Sequence, residues 1–463
     1  MADVYLPPGG GEARGLRRLI GRFRLRHPAQ FVVAAFASII FIGCLVLLLP
    51  FSSTDPGPTP FLTALFTATS AVCVTGLVVV DTPTYWSGFG QGTIMVLIQI
   101  GGFGIMTLAS LLALLVSRRI GLKGRLVAQS ETKTLGLGDV RRVLLGVLAF
   151  SLLFESVTAV MIGTRLFVGY GYSAVDATYH GIFHAISAFN NAGFALYGDS
   201  FEGFVSDAWV SLTVAAAVIL GGLGFPVLME LRQRPFQPKR WTMHTKVTLG
   251  MTVLLLIGGT LAFLWFEWTN PYTLGNLTAR GKLLPGFFQS VTSRTAGFNT
   301  LDFSQMRETT WLVTVILMFI GGGSASTAGG IKVTTFALLG FVIWAEARGE
   351  PSVSVLGRRL PPSVQRQAIS VALLAIGAVV VSTLAMMAYG GFALSRSLFE
   401  AVSAFATTGL STGLTPSLSK VTQTLLIILM FIGRLGPITV GTALALRHRE
   451  RLYRLPEERP IIG

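Results

Sequence analysis

Charged side chains are scarce in this sequence of 463 residues. Asp, Glu, Lys and Arg make up 12% of the chain, and hydrophobic residues make up 52%. Soluble domains carry about 25% charged residues, so this composition excludes a soluble globular fold. We predict a polytopic membrane protein.

Cysteine and catalytic motifs are scarce as well. The two cysteines, Cys44 and Cys73, lie in apolar segments, which argues against a disulfide framework. The sequence contains no GxxxxGKS/T phosphate loop and no HExxH or CxxC motif. We therefore predict that the chain is not an enzyme and binds no cofactor of its own.

Acidic residues are too few to balance the basic ones, and the net charge is +15. The two termini and alternate loops (117–142, 232–246 and 345–366) hold 27 of the 36 Lys and Arg, whereas the loops between them hold 7. Because cytoplasmic loops carry the Lys/Arg excess, we place both termini in the cytoplasm. The distribution favours membrane topology and contact with anionic lipid over nucleic-acid binding.

Eight long apolar segments connect these loops. Each is long enough for a membrane helix, which satisfies its own backbone hydrogen bonds in lipid. They cover residues 31–49, 93–116, 143–167, 209–231, 247–266, 311–344, 368–388 and 421–446. We read the first as a retained span, not a signal peptide.

Four shorter segments fall between spans 1 and 2, 3 and 4, 5 and 6, and 7 and 8. They read FTATSAVCVTGL (66–77), FHAISAFNNAGF (183–194), FFQSVTSRTAGF (287–298) and FEAVSAFATTGL (399–410). Crossing a bilayer takes about 20 apolar residues, so each is a half-span, here termed a pore helix. A second glycine motif follows each one: IGGFG, LGGLG, IGGGS or IGRLG.

Two markers in constant order indicate a fourfold internal repeat. The predicted fold class is an all-α membrane protein of four span–pore-helix–span repeats, with eight transmembrane helices in pseudo-fourfold symmetry around a central ion pore. The predicted units are a basic cytoplasmic N-terminal tail (1–30), four repeats (31–118, 141–232, 243–345 and 366–447) and a cytoplasmic C-terminal tail (448–463).

The chain that returns from each pore helix exposes backbone carbonyls that no helix satisfies. Four such returns around one axis would place rings of oxygens where a cation exchanges its hydration shell for them, and Gly allows the backbone angles required. The predicted filter carbonyls belong to Val74, Thr75, Gly76, Asn191, Ala192, Gly193, Thr295, Ala296, Gly297, Thr407, Thr408 and Gly409.

The sixth span differs from the others in its middle, which reads GGGSASTAGGIKVTT (321–335). Gly costs about 1 kcal/mol against Ala in a helix interior, and non-helical backbone at membrane depth is tolerated only where it is buried in protein or lines a cavity. We predict an irregular intramembrane loop here.

Arg434 replaces the second glycine of the fourth motif, deep in an apolar span. Intramembrane cations are costly and normally face a wet interior. Below a cation filter, a fixed positive charge raises the barrier to passing cations. The alternative is a structural Arg that ties down loop carbonyls.

The motifs TSAVCVTGL, SAFNNAGF, SRTAGF and SAFATTGLSTG, with GGGSASTAGGIK and GRLGP, give the chain a clear resemblance. It resembles the superfamily of Trk, Ktr and HKT potassium transporters, and looks most like the KtrB-type translocating subunit of Ktr systems. The resemblance extends over nearly all of residues 31–446. It implies a multi-pass protein of the bacterial cytoplasmic membrane that takes up potassium.

The resemblance also implies roles for particular residues. The repeat glycines belong to the selectivity filter, and a Ser in place of the first is associated with sodium transport in some plant members; here all four are Gly. The broken helix forms a gate, with an Arg of the last span facing it. The implied gate residues are Gly321, Gly322, Gly323, Ser324, Ala325, Ser326, Thr327, Ala328, Gly329, Gly330, Lys332 and Arg434.

The family further implies partners. These are a second copy of the chain in a homodimer and a cytoplasmic regulatory ring of the KtrA type, which would carry the nucleotide. Potassium at the filter is the transported ion, and sodium is expected as an activator. Transport would draw on ion gradients or on energy from another subunit.

Several residues leave alternatives open. Lys332 would either repel cations or anchor the loop. Asp81, Asp199 and Asp302 follow their filter glycines by five, six and five residues, and form either an electronegative outer vestibule or solvated turns.

Other polar residues of the spans and pore helices favour structural roles. The spacing of His180 and His184 suits a metal, but no third ligand is evident, so helix packing is favoured. Glu400 is expected to form structural hydrogen bonds, Arg294 to tether the chain behind the filter, and Glu155 to pair with protein groups.

Three rival functions remain at this point. The chain could be a sodium-selective or poorly selective member of the same superfamily, a non-conducting membrane sensor or scaffold, or a membrane-embedded enzyme. The enzyme is disfavoured because intramembrane acidic residues are too few for a clustered site.

Overall fold

The computed structural model of the chain describes residues 28–55, 57–118 and 137–436. In chain order its helices are α1 (Pro28–Leu47), α2 (Phe61–Val72), α3 (Thr82–Tyr85), α4 (Gly88–Arg118), α5 (Leu137–Tyr170), α6 (Ala174–Phe189), α7 (Ala208–Leu223), α8 (Phe225–Gln233), α9 (Met243–Glu267), α10 (Leu283–Thr292), α11 (Glu308–Phe319), α12 (Val333–Ala347), α13 (Pro362–Gly390), α14 (Leu394–Ala406) and α15 (Lys420–Leu435). A short antiparallel hairpin of β1 (Ser354–Val355) and β2 (Arg358–Arg359) precedes α13.

The four predicted pore helices are α2, α6, α10 and α14, and they form the interior of the protein. Each has a buried phenylalanine: Phe66, Phe183, Phe288 and Phe399. The long helices α5, α9 and α13 instead expose apolar side chains such as Val160, Leu254 and Leu373. Lipid tails are as apolar as these side chains, so the long helices form an outer shell that suits a bilayer.

Three helices in the described part of the chain are long and apolar enough to cross a membrane. They are Leu144–Tyr170, Met243–Glu267 and Pro362–Gly390, the first spans of repeats 2, 3 and 4. The pair Ala208–Leu223 and Phe225–Gln233 qualifies as a fourth if it is counted as one bent span. Among the second spans, those of repeats 2 and 3 are interrupted, at Gly224 and between Phe319 and Val333.

The fourth span was expected to be a continuous helix over residues 209–231, and this expectation is wrong. It breaks at Gly224, where φ is +93° and the chain bends by 98° between α7 and α8. A Cβ at Gly224 would lie 2.5 Å from the carbonyl oxygen of Ser324. The break therefore allows close packing against the interrupted span of repeat 3.

The sixth span contains the irregular segment that its glycine content predicts. Helix α11 ends at Phe319 and α12 begins at Val333. The ends of the intervening loop are joined by backbone hydrogen bonds, from Gly321 N–H to the Ile331 carbonyl (2.8 Å) and from Val333 N–H to the Gly322 carbonyl (3.0 Å). The loop is thus closed on itself at its base.

The last span is described as far as Gly436, which has φ +85° and ψ 139°. These angles are close to the φ +93° and ψ 144° of Gly224, so the final glycine of the second motif ends a helix in both repeats. The rest of the predicted span 421–446, the tail 448–463 and nearly all of the tail 1–30 lie outside the described residues.

The first glycine of the second motif has a packing role that its spacing did not reveal. In repeats 1, 2 and 4 it lies against a carbonyl at the C-terminal end of the pore helix. A Cβ would lie 2.0 Å from Val72 O at Gly101, 1.9 Å from Phe189 O at Gly221 and 1.8 Å from Phe405 O at Gly433. The second span thus supports the pore helix from behind, at a distance that only Gly permits.

Candidate ion filter and gate

The four repeat glycines form a closed ring. A Cβ at each would lie against the carbonyl that precedes the glycine of the next repeat: at Gly76, 2.4 Å from Ala192 O; at Gly193, 2.8 Å from Ala296 O; at Gly297, 2.3 Å from Thr408 O; at Gly409, 2.1 Å from Thr75 O. The repeats therefore follow one another around an axis in chain order, and the fourth contacts the first.

Each repeat also has a left-handed residue two positions before its glycine. These residues are Val74 (φ +56°), Asn191 (φ +59°), Thr295 (φ +71°) and Thr407 (φ +50°), and the glycines have φ between +70° and +89°. A left-handed non-glycine residue costs about 1–2 kcal/mol. Backbone that alternates in this way can aim successive peptide groups to one side, which is the geometry that a carbonyl filter needs.

The residue between these two left-handed positions is held by its N–H group. Its backbone N–H donates to a carbonyl within the preceding pore helix: Thr75 to Ser70 (2.7 Å), Ala192 to Ser187 (2.7 Å), Ala296 to Thr292 (3.0 Å) and Thr408 to Ser403 (2.9 Å). All four filter segments are therefore anchored to their pore helices in nearly the same way.

A cavity of about 250 Å³, here termed the outer cavity, lies on the side of the ring where the chain leaves the four glycines. All four filter glycines line it, together with Asp81, Asp199 and Asp302. These three acidic residues come from three different repeats. In the described part of the chain the one salt bridge joins Arg165 to Asp207, so the carboxylates of this cavity are not neutralised by a basic side chain.

Glu202 also lines this cavity, and sequence reasoning missed it. Burial raises the pKa of its carboxyl to about 7, with further contributions from Asp302 and Asp199, although Asn299 Nδ2 donates to Glu202 Oε1 at 2.8 Å. The signal available in the sequence was its position three residues after Asp199. A 3-10 turn, Glu202–Phe204, directs it back towards the cavity.

The irregular loop of repeat 3 lies directly beneath the ring. A Cβ at Gly329 would lie 2.0 Å from Thr407 Oγ1, and Thr327 Oγ1 donates to Asn191 Oδ1 at 3.3 Å. Both partners are left-handed filter residues, in repeats 4 and 2. The loop is thus in contact with the inner end of the filter from two sides.

Two cations hold adjacent carbonyls of this loop. Arg434 donates from Nη1 to the carbonyl of Thr327, and Lys332 donates from Nζ to the carbonyl of Ala328. Arg434 Nη2 also donates to the Gly101 carbonyl of repeat 1 at 3.1 Å. The guanidinium is buried and connects repeats 1, 3 and 4 below the filter. These hydrogen bonds show that Arg434 holds backbone carbonyls of the loop and of repeat 1. Its positive charge lies at the same position, below the filter.

The remaining polar candidates lie behind the filter. Arg294 is buried and donates to Thr252 Oγ1 of span 5 over 3.5 Å. Glu155 Oε1 accepts from Ser151 (2.8 Å) and Asn190 (3.1 Å), and its Oε2 accepts from Gln99 (3.2 Å). Neither side chain lines the outer cavity.

His184 does not form a metal site with His180. Its Nδ1 lies 2.8 Å from the carbonyl of His180, and its Nε2 accepts from Leu196 N–H at 3.1 Å. Both ring nitrogens are therefore used by the backbone. No cluster of three or more His, Cys, Asp or Glu suited to a metal occurs in residues 28–55, 57–118 and 137–436.

Comparison with solved structures identifies the fold. The TrkH potassium transporter of Vibrio parahaemolyticus matches with a TM-score of 0.72, over 92% of this chain and 86% of that chain, at 20% sequence identity. This likeness shows a shared fold. The predicted all-α class, with its span and pore-helix repeats, is confirmed.

Comparison with characterised sequences identifies nearer relatives. The chain is 41% identical over 413 residues to the Ktr system potassium uptake protein B of Bacillus subtilis, covering 89% of this chain and 92% of that protein. It is 37% identical to the protein of the same name from Vibrio alginolyticus, over 94% of both. It is 36% identical to the potassium/sodium uptake protein NtpJ of Enterococcus hirae, over 94% of this chain and 97% of that protein.

The family assignment covers nearly the whole chain. Residues 17–452 match the family described as TrkH, cation transport protein. The ring of four glycines and the loop beneath it lie within this range. The chain therefore belongs to the TrkH family of cation transport proteins.

Proposed function

We propose that this chain takes up potassium ions across the bacterial cytoplasmic membrane through a filter of backbone carbonyls. The observation that carries the proposal is the closed ring of Gly76, Gly193, Gly297 and Gly409. A closed ring with left-handed backbone at matched positions is a means of presenting carbonyl oxygens to one axis. The relatives named as potassium uptake proteins support this choice of ion.

The filter lacks a positive side chain at its ring and has acidic groups outside it. Asp81, Asp199, Asp302 and Glu202 would raise the local cation concentration at the mouth. The carbonyls of the twelve predicted filter residues would then replace the water around the ion. Because the ring glycines allow no Cβ, a Ser at any of them would disturb its neighbour's carbonyl.

The gate in this proposal is the loop 321–330 together with Lys332 and Arg434. Its contacts with Thr407 and Asn191 put it in the path of an ion that leaves the filter. The charge of Arg434 adds a Coulomb barrier at the same depth. Conduction would require the loop to leave this position, which means breaking the bonds from Arg434 and Lys332 to its carbonyls.

The proposal includes topology and assembly. Both termini would be cytoplasmic, since the basic loops carry most of the Lys and Arg. The chain would work as a homodimer with a cytoplasmic nucleotide-binding regulatory ring, and sodium would act as an activator. The exposed Arg358 and Arg359 of the β1–β2 hairpin belong to the basic cytoplasmic surface that such a ring would meet.

A second candidate function is transport with mixed potassium and sodium selectivity. The relative from Enterococcus hirae, named as a potassium/sodium uptake protein, favours keeping this candidate. A flux assay with both ions separates the two.

The test uses the full chain in liposomes, with and without a Ktr-type regulatory partner, and measures rubidium and sodium flux. Wild type should carry rubidium in preference to sodium, and potassium should raise the melting temperature of the purified protein more than sodium does. Gly76→Ser should reduce the preference. Gly250→Ser is the control, since a side chain there has no neighbour within 4 Å.

Two outcomes would count against the proposal. Absence of flux above empty liposomes, with no stabilisation by potassium, would favour a non-conducting protein. Equal flux of the two ions in the wild type would favour the mixed-selectivity candidate.

A further inference from the structure

Three pore helices share a buried polar side chain that accepts a hydrogen bond from the chain after the filter. His184 Nε2 accepts from Leu196 N–H at 3.1 Å, and Glu400 Oε1 accepts from Thr412 N–H at 3.1 Å. The donor is in both cases the third residue after the filter glycine, Gly193 or Gly409. Two repeats with different side chains therefore make the same bond.

The third repeat makes the corresponding bond with an amide. With its oxygen facing the loop, Gln289 accepts from Thr300 N–H at 3.2 Å and from Leu301 N–H at 2.9 Å. Thr300 is again the third residue after the filter glycine, Gly297. The first repeat carries the shorter Thr67 at the matching place of its pore helix. An imidazole, an amide and a carboxylate have only their acceptor function in common.

The protonation pattern of His184 is fixed by its neighbours. Its Nδ1 lies 2.8 Å from the His180 carbonyl, which can only accept, so Nδ1 carries the proton and Nε2 is free to accept from Leu196. The ring stacks on Tyr197, with centroids 4.8 Å apart and planes 7° apart. The imidazole is therefore held in one tautomer and one orientation.

Glu400 binds more of its loop than the others do. It is fully buried, and besides Thr412 N–H it accepts from Ser411 Oγ at 2.5 Å and from Thr415 Oγ1 at 2.8 Å. All three donors lie within the segment that leaves the fourth filter glycine. This carboxylate acts on the ion path through the loop, since it does not line the outer cavity.

A second set of bonds holds the residue directly after the glycine. Ser187 Oγ donates to the Phe194 carbonyl at 2.7 Å, and Thr292 Oγ1 donates to the Phe298 carbonyl at 2.5 Å. These carbonyls point back to the pore helix and not to the ring. In these repeats the filter glycine is therefore the last residue whose carbonyl can face the ring. The chain after it is held at two points, the carbonyl of the residue that follows the glycine and the N–H of the third residue after the glycine.

We propose that His184, Gln289 and Glu400 are positioning residues that hold the outer carbonyls of the filter at the spacing that selects potassium. The proposal rests on the proposed filter function. Each acceptor fixes the peptide three residues beyond a ring glycine, which limits how far that glycine's own carbonyl can rotate. Selectivity against a smaller ion depends on such limits, because flexible carbonyls could close in around it.

The test compares acceptor and non-acceptor variants of the full chain in liposomes, with the rubidium-to-sodium flux ratio as the readout. His184→Leu removes the acceptor and should lower the ratio by roughly 5-fold, the factor that corresponds to one hydrogen bond. His184→Gln supplies an amide oxygen, as Gln289 does in repeat 3, and should restore the ratio to within about twofold. Glu400→Gln keeps one acceptor oxygen and should also retain most of it.

The matched control is Tyr179→Phe on the same pore helix. It removes the hydrogen bond from Tyr179 Oη to Gln91 Oε1 (2.8 Å), which does not involve the filter loop. This variant should lose stability without a change in the flux ratio. If the role of His184 were purely structural, His184→Leu would behave like Tyr179→Phe and lose stability without a change in the flux ratio.

Two results would overturn the proposal. One is an unchanged ratio in His184→Leu when the protein is assembled and conducts. The other is a ratio that falls as far in Glu400→Gln as in His184→Leu, which would indicate that charge matters and not the acceptor. If His184→Leu does not assemble, Gln289→Leu takes its place as the variant without an acceptor, and an unchanged ratio in that variant would overturn the proposal. Absence of rubidium flux in the wild type would instead contradict the proposed function.

Discussion

The buried guanidinium of Arg434 donates a hydrogen bond to the carbonyl of Thr327, 107 residues earlier in the chain. Thr327 in turn donates from its hydroxyl to Asn191 Oδ1 at 3.3 Å. One line of contacts therefore runs from the last span through the irregular loop to the filter of repeat 2. The residue that replaces a glycine in the fourth repeat is the one that holds the interruption in the third.

Replacement of Arg434 separates the charge from the carbonyl tie. Arg434→Met removes both, and rubidium flux should rise roughly tenfold, as expected for one charge about 10 Å from the ion at an effective dielectric constant of about 20. Arg434→Lys keeps the charge, but the compact ammonium group of Lys lacks the planar fork of donors with which the guanidinium holds two carbonyls at once. If charge forms the barrier, flux in the Lys variant stays low; if the tie does, flux rises.

The controls for this pair are assembly and orientation. Both variants should elute at the wild-type size in detergent and show the same accessible termini in the membrane. Unchanged or lower flux in Arg434→Met, with normal assembly, would contradict both roles.

Gly329 provides a test of the loop that does not alter charge. A side chain there would meet Thr407 Oγ1 at 2.0 Å, so Gly329→Ala must push the loop away from the filter. Overpacking of this kind costs about 1–3 kcal/mol, and we expect a lower melting temperature together with higher rubidium flux. Gly340→Ala in α12 of the same repeat, where a side chain has no neighbour within 4 Å, should melt at or above the wild-type temperature and leave rubidium flux unchanged. Wild-type flux in Gly329→Ala would show that this contact does not close the pore.

The outer cavity should make uptake depend on external pH. Burial and the nearby Asp302 and Asp199 raise the pKa of Glu202 to about 7, so its carboxyl is neutral below that pH and charged above it. Deprotonation adds a negative charge at the mouth and should raise uptake at limiting potassium. We expect an increase of about two- to threefold between about pH 6 and about pH 8, less than the roughly tenfold or more of full electrostatic steering, because only one charge changes.

Glu202→Gln removes the titrating group and should flatten this pH profile at the lower level. Glu308→Gln, an outer acid at the start of α11 that does not line the cavity, is the control and should keep the wild-type profile. High ionic strength should shrink the difference, because salt screens the charges. A pH step of full size in Glu202→Gln would rule out this residue as its source.

The sequence predicted the repeat and the positions of the pore helices because both depend on local patterns: a Phe, a Gly ten residues later and a second glycine motif. It did not predict the break at Gly224. That break depends on the Ser324 carbonyl of another repeat, 2.5 Å from where a Cβ would be. Gly224 and Pro226 at the start of α8 are local signals for a helix break, but nothing within residues 209–231 specifies the neighbour that the bend packs against.

The filter illustrates the same limit. Glycine at four matched positions predicted a ring, but the order in which Gly76 meets Ala192 and Gly409 meets Thr75 is a property of packing between repeats. Glu202 was missed because its approach to Asp302 joins loops of repeats 2 and 3. The acceptors His184 and Glu400 were visible as polar residues, but their common partner position emerges only when the loops are in place.

The second glycine motif provides the last prediction, on the support of the pore helices. At Gly433 a Cβ would lie 1.8 Å from the Phe405 carbonyl and 2.7 Å from its carbonyl carbon. These atoms belong to the backbone, which cannot move aside as a flexible side chain can. Gly433→Ala should therefore displace α14 or α15, and with it the filter segment Thr407 to Gly409. Gly258→Ala, in α9 with no neighbour within 4 Å, is the matched control.

The measurement is the melting temperature of the purified protein with potassium or with sodium. Gly433→Ala should melt below the wild type and lose the extra stabilisation by potassium, since a displaced filter binds the ion less tightly. Gly258→Ala should melt at or above the wild-type temperature, because Ala favours helix over Gly, and should keep the potassium effect. If Gly433→Ala were destabilised but kept the full potassium effect, the glycine would support the fold and not the filter.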